Sequence, residues 1–491
     1  MKSPTDYDVI VVGAGSAALI SAISARNQGA RVLVLEKAPQ AARGDNCRFT
    51  GGGFKFWHKG LAEILEFLPD LSEEEIQSMI VPEYSADAWY SKIMEVTEER
   101  ADPRLTEILV TESNPTVRWL KDQGVKFELL MAASTVREGD KLRWKPEHGV
   151  IRAKGGGKGL GDSLFDIAAR KSIEVLYETK AMKLLRNSSG AVCGVTVKDK
   201  SGFRDIWSKA VILACGGFES NREWRARYLG PGWDLVRPRG TSFNTGDGLK
   251  MALEIGAQPA GHWSGRHATA IDYWQSRVPE GQDIGGIDDK RDMYHFTVQV
   301  NVNGVRFLDE GADFKTFVYA RYGAYLLEQP LGMAWQIFDA KVSDLLNEGY
   351  PNGTPVTADS IEELAQKLDM PALPRTISEF NAAVREDVPL NFAIRDAKGT
   401  VGISPPKSNW AQKIDKAPFL AYPVGCGISY TFGGLKINTQ AQVLDREGEV
   451  ITGLYTTGEM VGGIWYKTYT GGGGNALNAV FGRIAGANAA S

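Results

Sequence analysis

The chain has 491 residues, more than one hydrophobic core ordinarily serves, so two domains are expected. Hydrophobic residues make up 43% and charged residues 24%, as in an ordinary soluble globular protein; the 55 glycines are the one excess, and they suit a chain built on nucleotide-cradling loops. A net charge of −4 excludes a basic footprint for nucleic acid or for an anionic lipid surface.

The polar start, residues 1–6, runs straight into a strand and leaves no room for a signal peptide. No apolar run is long enough to span a bilayer, so an integral membrane protein is not expected. Cys47, Cys193, Cys215 and Cys426 are scattered and form no C-x-x-C pair. That speaks against an iron–sulfur or zinc site, leaves no metal-site expectation, and suits a reducing, cytoplasmic location.

Val9 to Val12 is an unbroken β-branched run, the pattern of a buried parallel strand. Gly13-Ala14-Gly15 is a turn, and Ala17 to Gln28 is mostly small or apolar and free of Pro, the pattern of a helix packed on that strand. Arg31 to Glu36 is a second strand ending in an acid. Strand, glycine turn, helix, strand and acid make the dinucleotide-binding unit, with the acid about twenty residues past the glycines. Gly13 allows the turn, Gly15 lets the backbone approach a pyrophosphate, and Glu36 can accept from ribose hydroxyls. Ala18 stands where the third glycine would be. The acid disfavours a 2′-phosphate but leaves FAD and NAD both open.

Lys37 to Gly53 is a polar loop ending in three glycines, able to approach a flat ring or a phosphate, or simply a flexible loop. Leu61 to Arg100 reads as mostly helical, with Glu73, Glu74 and Glu75 near a helix start. Asn114–Gln123 reads as a helix and Val125–Leu130 as a strand. Lys154–Gly161 is glycine-rich but lacks the Walker spacing, which rejects an NTPase. Leu164–Lys171 continues as a helix, and Ser172–Lys198 reads as a hairpin around Asn187–Gly190. Lys209–Phe218 is a buried strand running into Gly216-Gly217, and Gly246–Gly256 a capped amphipathic helix.

From about Gln258 the texture changes to aromatics among polar residues, with strands around an Asn303-Gly304 turn and helices over Ile361–Leu368 and Thr376–Val384. This block, to about Pro423, reads as a domain inserted in the first. Gly453–Glu459 is again a strand with a glycine turn and an acid, and Gly471–Gly482 opens a small-residue helix. A second cluster of backbone N–H groups there could stabilise a negative charge.

Together these pieces resemble the fumarate reductase and succinate dehydrogenase flavoprotein superfamily (FAD-binding type 2). The matching elements are Val11–Ala18, Val34–Lys37, Leu213–Phe218, Thr245–Gly248, Asn303–Glu310 and Gly453–Glu459, in the family's order over nearly the whole chain. Within the superfamily the chain is most similar to FAD-dependent tricarballylate dehydrogenases, through His262–Gly265 with His267, Arg306–Phe314, Gly427–Gly434 and Thr470–Asn475. The resemblance implies an α/β fold: a Rossmann-like FAD-binding domain of the glutathione-reductase type with an inserted α+β capping domain. The FAD-binding domain would comprise residues 1–258 and 425–491, and the capping domain residues 259–424. FAD contacts carry over to Gly13, Gly15, Ala17, Ala18, Glu36 and Lys37, and to Asn46, Cys47, Thr50, Gly51 and Gly52 in the loop. The others are Ala214, Gly216, Asp247, Gly458, Glu459, Gly474, Asn475 and Leu477.

The departures are informative. Members with covalent flavin carry a His in the loop occupied here by Asn46-Cys47-Arg48, so non-covalent FAD is expected. Where the reductases place a proton-donating Arg, the nearest residue is Lys315. The family's His before Thr-x-Gly-Gly is Tyr430, and its C-terminal Arg is absent, with Lys467 nearby. His267 matches a substrate-binding position.

Dehydrogenation beside a carbonyl needs a hydride acceptor, a base, and donors for the substrate's oxygens. Tyr430 could be the base or acid if a nearby cation lowers its pKa. His267, Lys315 and Arg306 are candidates for substrate contact, Arg306 first as a partner of Glu310; Tyr466 and Lys467 are candidates for the flavin side or pocket wall. The first expectation is dehydrogenation of a tricarballylate-like polycarboxylate, with electrons leaving to a separate protein or quinone-linked partner. The runner-up, a ketosteroid-dehydrogenase-like or enoate-reductase-like enzyme, suits the aromatics Trp263, Tyr273, Trp274, Trp335 and Trp465. A flavin-binding subunit without turnover is the third.

Overall fold

Val9, Ile10 and Val11 have no exposed surface, because their strand lies in the middle of a parallel sheet. β1 (Tyr7–Val12) pairs in parallel with β2 (Val32–Leu35) on one side. The computed structural model describes residues 6–131, 135–145, 147–275, 289–346 and 349–491. Residues 1–5, the rest of the polar start, lie outside the described residues.

After β2 the sheet continues with β3 (Glu174–Leu176), and on the other side of β1 with β6 (Gly202–Leu213). β6 pairs in parallel with β8 (Val450–Thr456), and β7 (Gln442–Leu444) closes that edge antiparallel. β4 (Lys180–Arg186) and β5 (Val192–Asp199) form an antiparallel flap joined to β6, the hairpin expected around Asn187. Val9–Val12 of β1 and all of β2 are buried on both faces, as their near-continuous apolar sequences require.

α1 (Ser16–Asn27) starts directly after the Gly13–Gly15 turn, and Ser16 through Ala25 are all buried, so it has no polar face. α4 (Gly473–Ala489) packs against it along its length. The glycines of 154–161 are the start of α2 (Gly156–Arg170), which lies against Asp45–Phe49, and are a packing surface. Ser72 and Glu75 form a capping box at the helix Glu73–Gln77, which explains the acids there. α3 (Asp247–Glu254) begins after Gly246, with no side-chain cap in contrast to the expected capping.

The chain divides into two compact units. The first comprises Met1–Asp234, Thr241–Arg266 and Tyr430–Ser491; the second comprises Leu235–Gly240 and His267–Ser429. In the second, Val298–Asn301, Met333–Phe338 and the start of Phe419–Leu435 form an antiparallel sheet, joined by Val356–Ala358. Helices Ile361–Lys367 and Leu373–Ala383 cover it with Leu364, Leu373, Ile377 and Phe380. Arg237–Pro238 joins the same sheet beside Gly427–Ile428. The Asn303-Gly304 turn is present, but its return is a single bridge, Val300 to Arg306, where a second strand was expected.

Among the described residues no helix is long and apolar enough to cross a membrane.

Candidate functional site

In the first unit, four parallel strands in a row end on the same edge: β8, β6, β1 and β2. In open α/β sheets this carboxyl edge is where ligands bind. Gly13 stands at φ +106°, and a Cβ there would lie 2.4 Å from the Ala214 carbonyl oxygen. Only glycine fits a turn that is both left-handed and pressed on the neighbouring strand. Ala17 and Ala18 are buried in the first turn of α1, and Gly15 stands immediately before it. A cleft of about 530 Å³, its open mouth included, is lined among others by Gly13, Glu36, Lys37, Asp45, Cys215, Asn244 and Asp247.

Glu36 is buried at the end of β2 and accepts from the Ala38 N–H at 2.7 Å. Burial pushes its carboxyl up to about 7, against that hydrogen bond, and the nearby Asp45 adds to the rise. Lys37 is tied to Asp247 and Thr245. Asp247 is half-buried; burial would raise its carboxyl, but Lys37 and Lys180 bring it down to about 2.

In the loop, the Asn46 amide donates to Glu219 Oε1 at 2.6 Å and its oxygen accepts from the Thr241 N–H. Cys47 is buried, its Sγ donating to the Gly157 oxygen, and burial pushes the thiol up to about 12, so it is inert. Thr50, Gly51 and Gly52 follow; the Gly52 N–H donates to Thr50 Oγ1. Asn475 donates to the Gly53 oxygen at 2.9 Å, so the glycine-rich loop meets the start of α4, where Gly474 and Leu477 also lie. Gly216 abuts the Asn244 side chain, and Gly458 abuts Ala17.

The acids were the least legible part. Glu219 follows β6 and Glu459 follows β8, neighbouring parallel strands, and the charge on Glu219 raises the Glu459 carboxyl, after burial. Asn244 also donates to Glu219 Oε1, and the Thr431 N–H donates to Glu459 Oε1 at 2.7 Å. Gly217 abuts Glu459 and Thr431, where a Cβ would lie 2.2 Å from Glu459 Oε1. Glu219 and Asp45, with one oxygen each lacking a hydrogen-bond partner among the described residues, were both missed. The only sequence signal was an acid directly after Gly-Gly-Phe.

Tyr430 packs in this unit against Tyr469, with ring centroids 6.1 Å apart, and Phe432. The expected pKa-lowering cation is not what surrounds it. Burial, then Glu459, Tyr469 and Glu219, push its hydroxyl well above 10, so it keeps its proton. Tyr466 stacks on His262 at 5.8 Å, and the Lys467 N–H donates to His262 Nδ1. The Lys467 ammonium pairs with Glu98.

In the second unit, His267 is buried with its ring edge-on to Tyr319. Burial, then Arg239 and Lys290, lower its pKa well below 6.5, so it is neutral. Lys315 opens the helix Lys315–Leu327 and pairs with buried Asp292 at 3.1 Å. Burial would raise Asp292, but Lys315, Lys290 and Arg239 lower it, so it stays ionised. His267 and Lys315 therefore converge on one charged cluster, whose members Arg239, Lys290 and Asp292 were not foreseen. Arg306 lies elsewhere, in a buried pair with Glu310 at 2.6 Å, and also donates to the oxygens of Pro405 and Leu308.

A family model, the FAD binding domain, matches residues 8–477. The chain is 29% identical over 497 residues to the probable fumarate reductase Ifc3 of Shewanella frigidimarina (strain NCIMB 400), covering 98% of this chain and 74% of that protein. It is 25% identical over 566 residues to the 3-oxosteroid 1-dehydrogenase of Mycolicibacterium smegmatis (strain ATCC 700084 / mc(2)155), covering 98% and 96%. The solved open conformation of a flavocytochrome c3 fumarate reductase matches with a TM-score of 0.73 at 26% identity, over 100% of this chain and 79% of that one.

The glycine turn, the buried acid at the end of β2 and the cleft on the carboxyl edge fit FAD, and the fold is an α/β FAD-binding domain with a capping domain. With a match that spans nearly all of its length, the chain belongs to the FAD binding domain family, and its cofactor is FAD.

Proposed function

We propose that the protein desaturates, or in reverse reduces, a carbon–carbon bond next to a carboxylate, with a tricarballylate-like polycarboxylate as substrate. It is an FAD-dependent oxidoreductase acting on carbon–carbon bonds, like its reductase and dehydrogenase relatives. In this reading the first unit is the FAD-binding domain and the second the capping, substrate-holding domain. Bound FAD supplies the two-electron acceptor or donor. Gly13, Gly15, Glu36, Lys37, Asn46, Asp247, Glu459 and Asn475 would hold it, with the neighbouring loop residues Thr50 to Gly52.

The observation that carries the substrate class is the buried cluster of the second unit. Arg239, Lys290 and Lys315 all act on Asp292, and His267 beside them is neutral. Several cations gathered on one buried acid favour a carboxylate ligand, and a neutral imidazole can donate to one of its oxygens. Tyr430, which keeps its proton, is suited to donate a proton in the reducing direction. Arg306 holds Glu310, and its part is to brace the second unit. Electrons pass to or from a separate protein or quinone-linked partner.

A second reading, a bulkier apolar ketone, is favoured by one aromatic group of the first unit. Trp263 stacks on Phe218 at 5.8 Å and meets Tyr228 at 4.8 Å. The other aromatics are dispersed: Trp274 is 64% exposed and Trp335 packs against an apolar core. The test is the visible flavin band under anaerobic conditions, with tricarballylate in one sample and a 3-oxosteroid in the other. Bleaching by the first supports the polycarboxylate reading; bleaching only by the second replaces it. A flavin bleached by neither would favour the third reading, a subunit without turnover.

A further inference from the structure

Asp45 stands where the glycine turn of the first unit leaves room for a diphosphate. The second glycine of such a turn lets the backbone come close to the pyrophosphate at the helix N-terminus. Here the space over Gly15 is taken by a side chain. A Cβ built on Gly15 would lie 2.9 Å from Asp45 Oδ2 and 3.1 Å from the Asp45 Cβ, so the carboxyl lies against the turn itself. Asp45 also lines the cleft that Gly13, Glu36 and Lys37 share.

The carboxyl is not there as a helix cap. α1 has no side-chain cap, and Asp45 Oδ1 is buried without a hydrogen-bond partner among the described residues. Burial opposes its charge, while the Asn46 N–H, the Asn244 amide and Lys37 favour it. That charge in turn adds to the rise, after burial, of Glu36, Glu219 and Glu459. The dipole of α1 favours an anion at this point, and a diphosphate would use it in the same way. Asp45 sits at φ +53° directly after Gly44 at φ +101°, and a left-handed Asp is held at some cost. Asn46 is anchored through its amide to Glu219 and the Thr241 N–H, and Cys47 to Gly157. Movement of the carboxyl is therefore confined to Asp45 and the Gly44 hinge, with the rest of the loop in place.

We propose that Asp45 is a resident anion of the cofactor site: its carboxylate fills the space that Gly15 leaves for the pyrophosphate and has to turn out before FAD can bind. The inference rests on the FAD reading of this cleft. Two anions at one point repel, so the resident carboxylate lowers the affinity for the diphosphate and for nothing else in the nucleotide. The protein without cofactor is thereby closed to stray phosphates at the open end of α1.

The test is the dissociation constant of FAD, from its release on dilution of the holoenzyme and its rebinding to the released protein, for wild type, Asp45→Asn and Asp45→Gly. Asp45→Asn keeps the shape and removes the charge; Asp45→Gly empties the space and suits the left-handed backbone, so both should fold. Both should bind FAD and ADP at least about tenfold more tightly than wild type, and adenosine, which has no phosphate, equally. Equal or weaker binding of FAD and ADP in Asp45→Asn, or in Asp45→Gly should the first not fold, would refute the resident anion and make Asp45 part of the cofactor cradle, while the FAD assignment stands. An equal gain for adenosine would also refute it, because the gain would not come from the diphosphate. If none of the three proteins binds FAD, the cofactor reading falls as well.

Discussion

Lys37 Nζ lies 2.6 Å from Asp247 Oδ2, although 210 residues separate them in the chain. The pair joins the end of β2 to the start of α3, and Lys180 reaches the other oxygen of Asp247 at 2.8 Å. Asp247 drops from the usual 3.8 to about 2, and its side chain is 24% exposed, so little of the effect is lost to solvent. The shift corresponds to about 2 kcal/mol of stability. Because the folded-state value is depressed, this stability is complete above pH 4 and lost as pH falls from about 4 towards 2. Asp247→Asn should remove it at neutral pH, lower the melting temperature, and flatten the acid limb of a stability–pH curve.

Gly13→Ala should give folded protein without bound flavin. The added methyl would meet the Ala214 oxygen at 2.4 Å on a left-handed backbone. Purification yield with normal circular dichroism, but no visible band, is the expected outcome.

Tyr430→Phe keeps the ring stack on Tyr469 and removes only the hydroxyl. If the hydroxyl donates to substrate, turnover should fall by about a hundredfold or more with FAD affinity unchanged. A pKa raised by burial also means that no basic limb below pH 10 in the rate profile should come from Tyr430. Steady-state rates across pH for both proteins check this.

Lys315→Met leaves Asp292 buried beside fewer cations and should cost about 3 kcal/mol in denaturant unfolding. Adding Asp292→Asn removes the stranded charge and should restore part of the loss, a coupling that a double-mutant cycle measures directly. His267→Gln, which replaces one neutral donor with another, should be milder for stability and raise KM more than it lowers kcat.

How much of this was legible follows from distance along the chain. The strand, glycine turn, helix and Glu36 are contiguous in sequence, and their spacing alone carries the geometry. The effect of Glu219 on Glu459 depends on which strands are neighbours, and β6 and β8 meet only in the folded sheet. The same holds for Leu235–Gly240, a short piece that leaves the first unit because Arg237–Pro238 pairs with Gly427–Ile428. Asn303-Gly304 shows the limit of a local signal. The turn forms, but Arg306 turns inward to Glu310 and ends the pairing after one bridge. Lys315 was reached by register against a motif, while Arg239, which faces the same cluster from a distant segment, carried no motif at all.

The most direct measurement is the anaerobic visible spectrum of the purified protein before and after adding tricarballylate. Loss of the flavin band on mixing, with its return on admitting an electron acceptor, is the result expected of an FAD-dependent dehydrogenase for a polycarboxylate. A flavin band that stays unchanged with tricarballylate but bleaches with a 3-oxosteroid would contradict the carboxylate-binding role of the His267, Arg239 and Lys315 cluster.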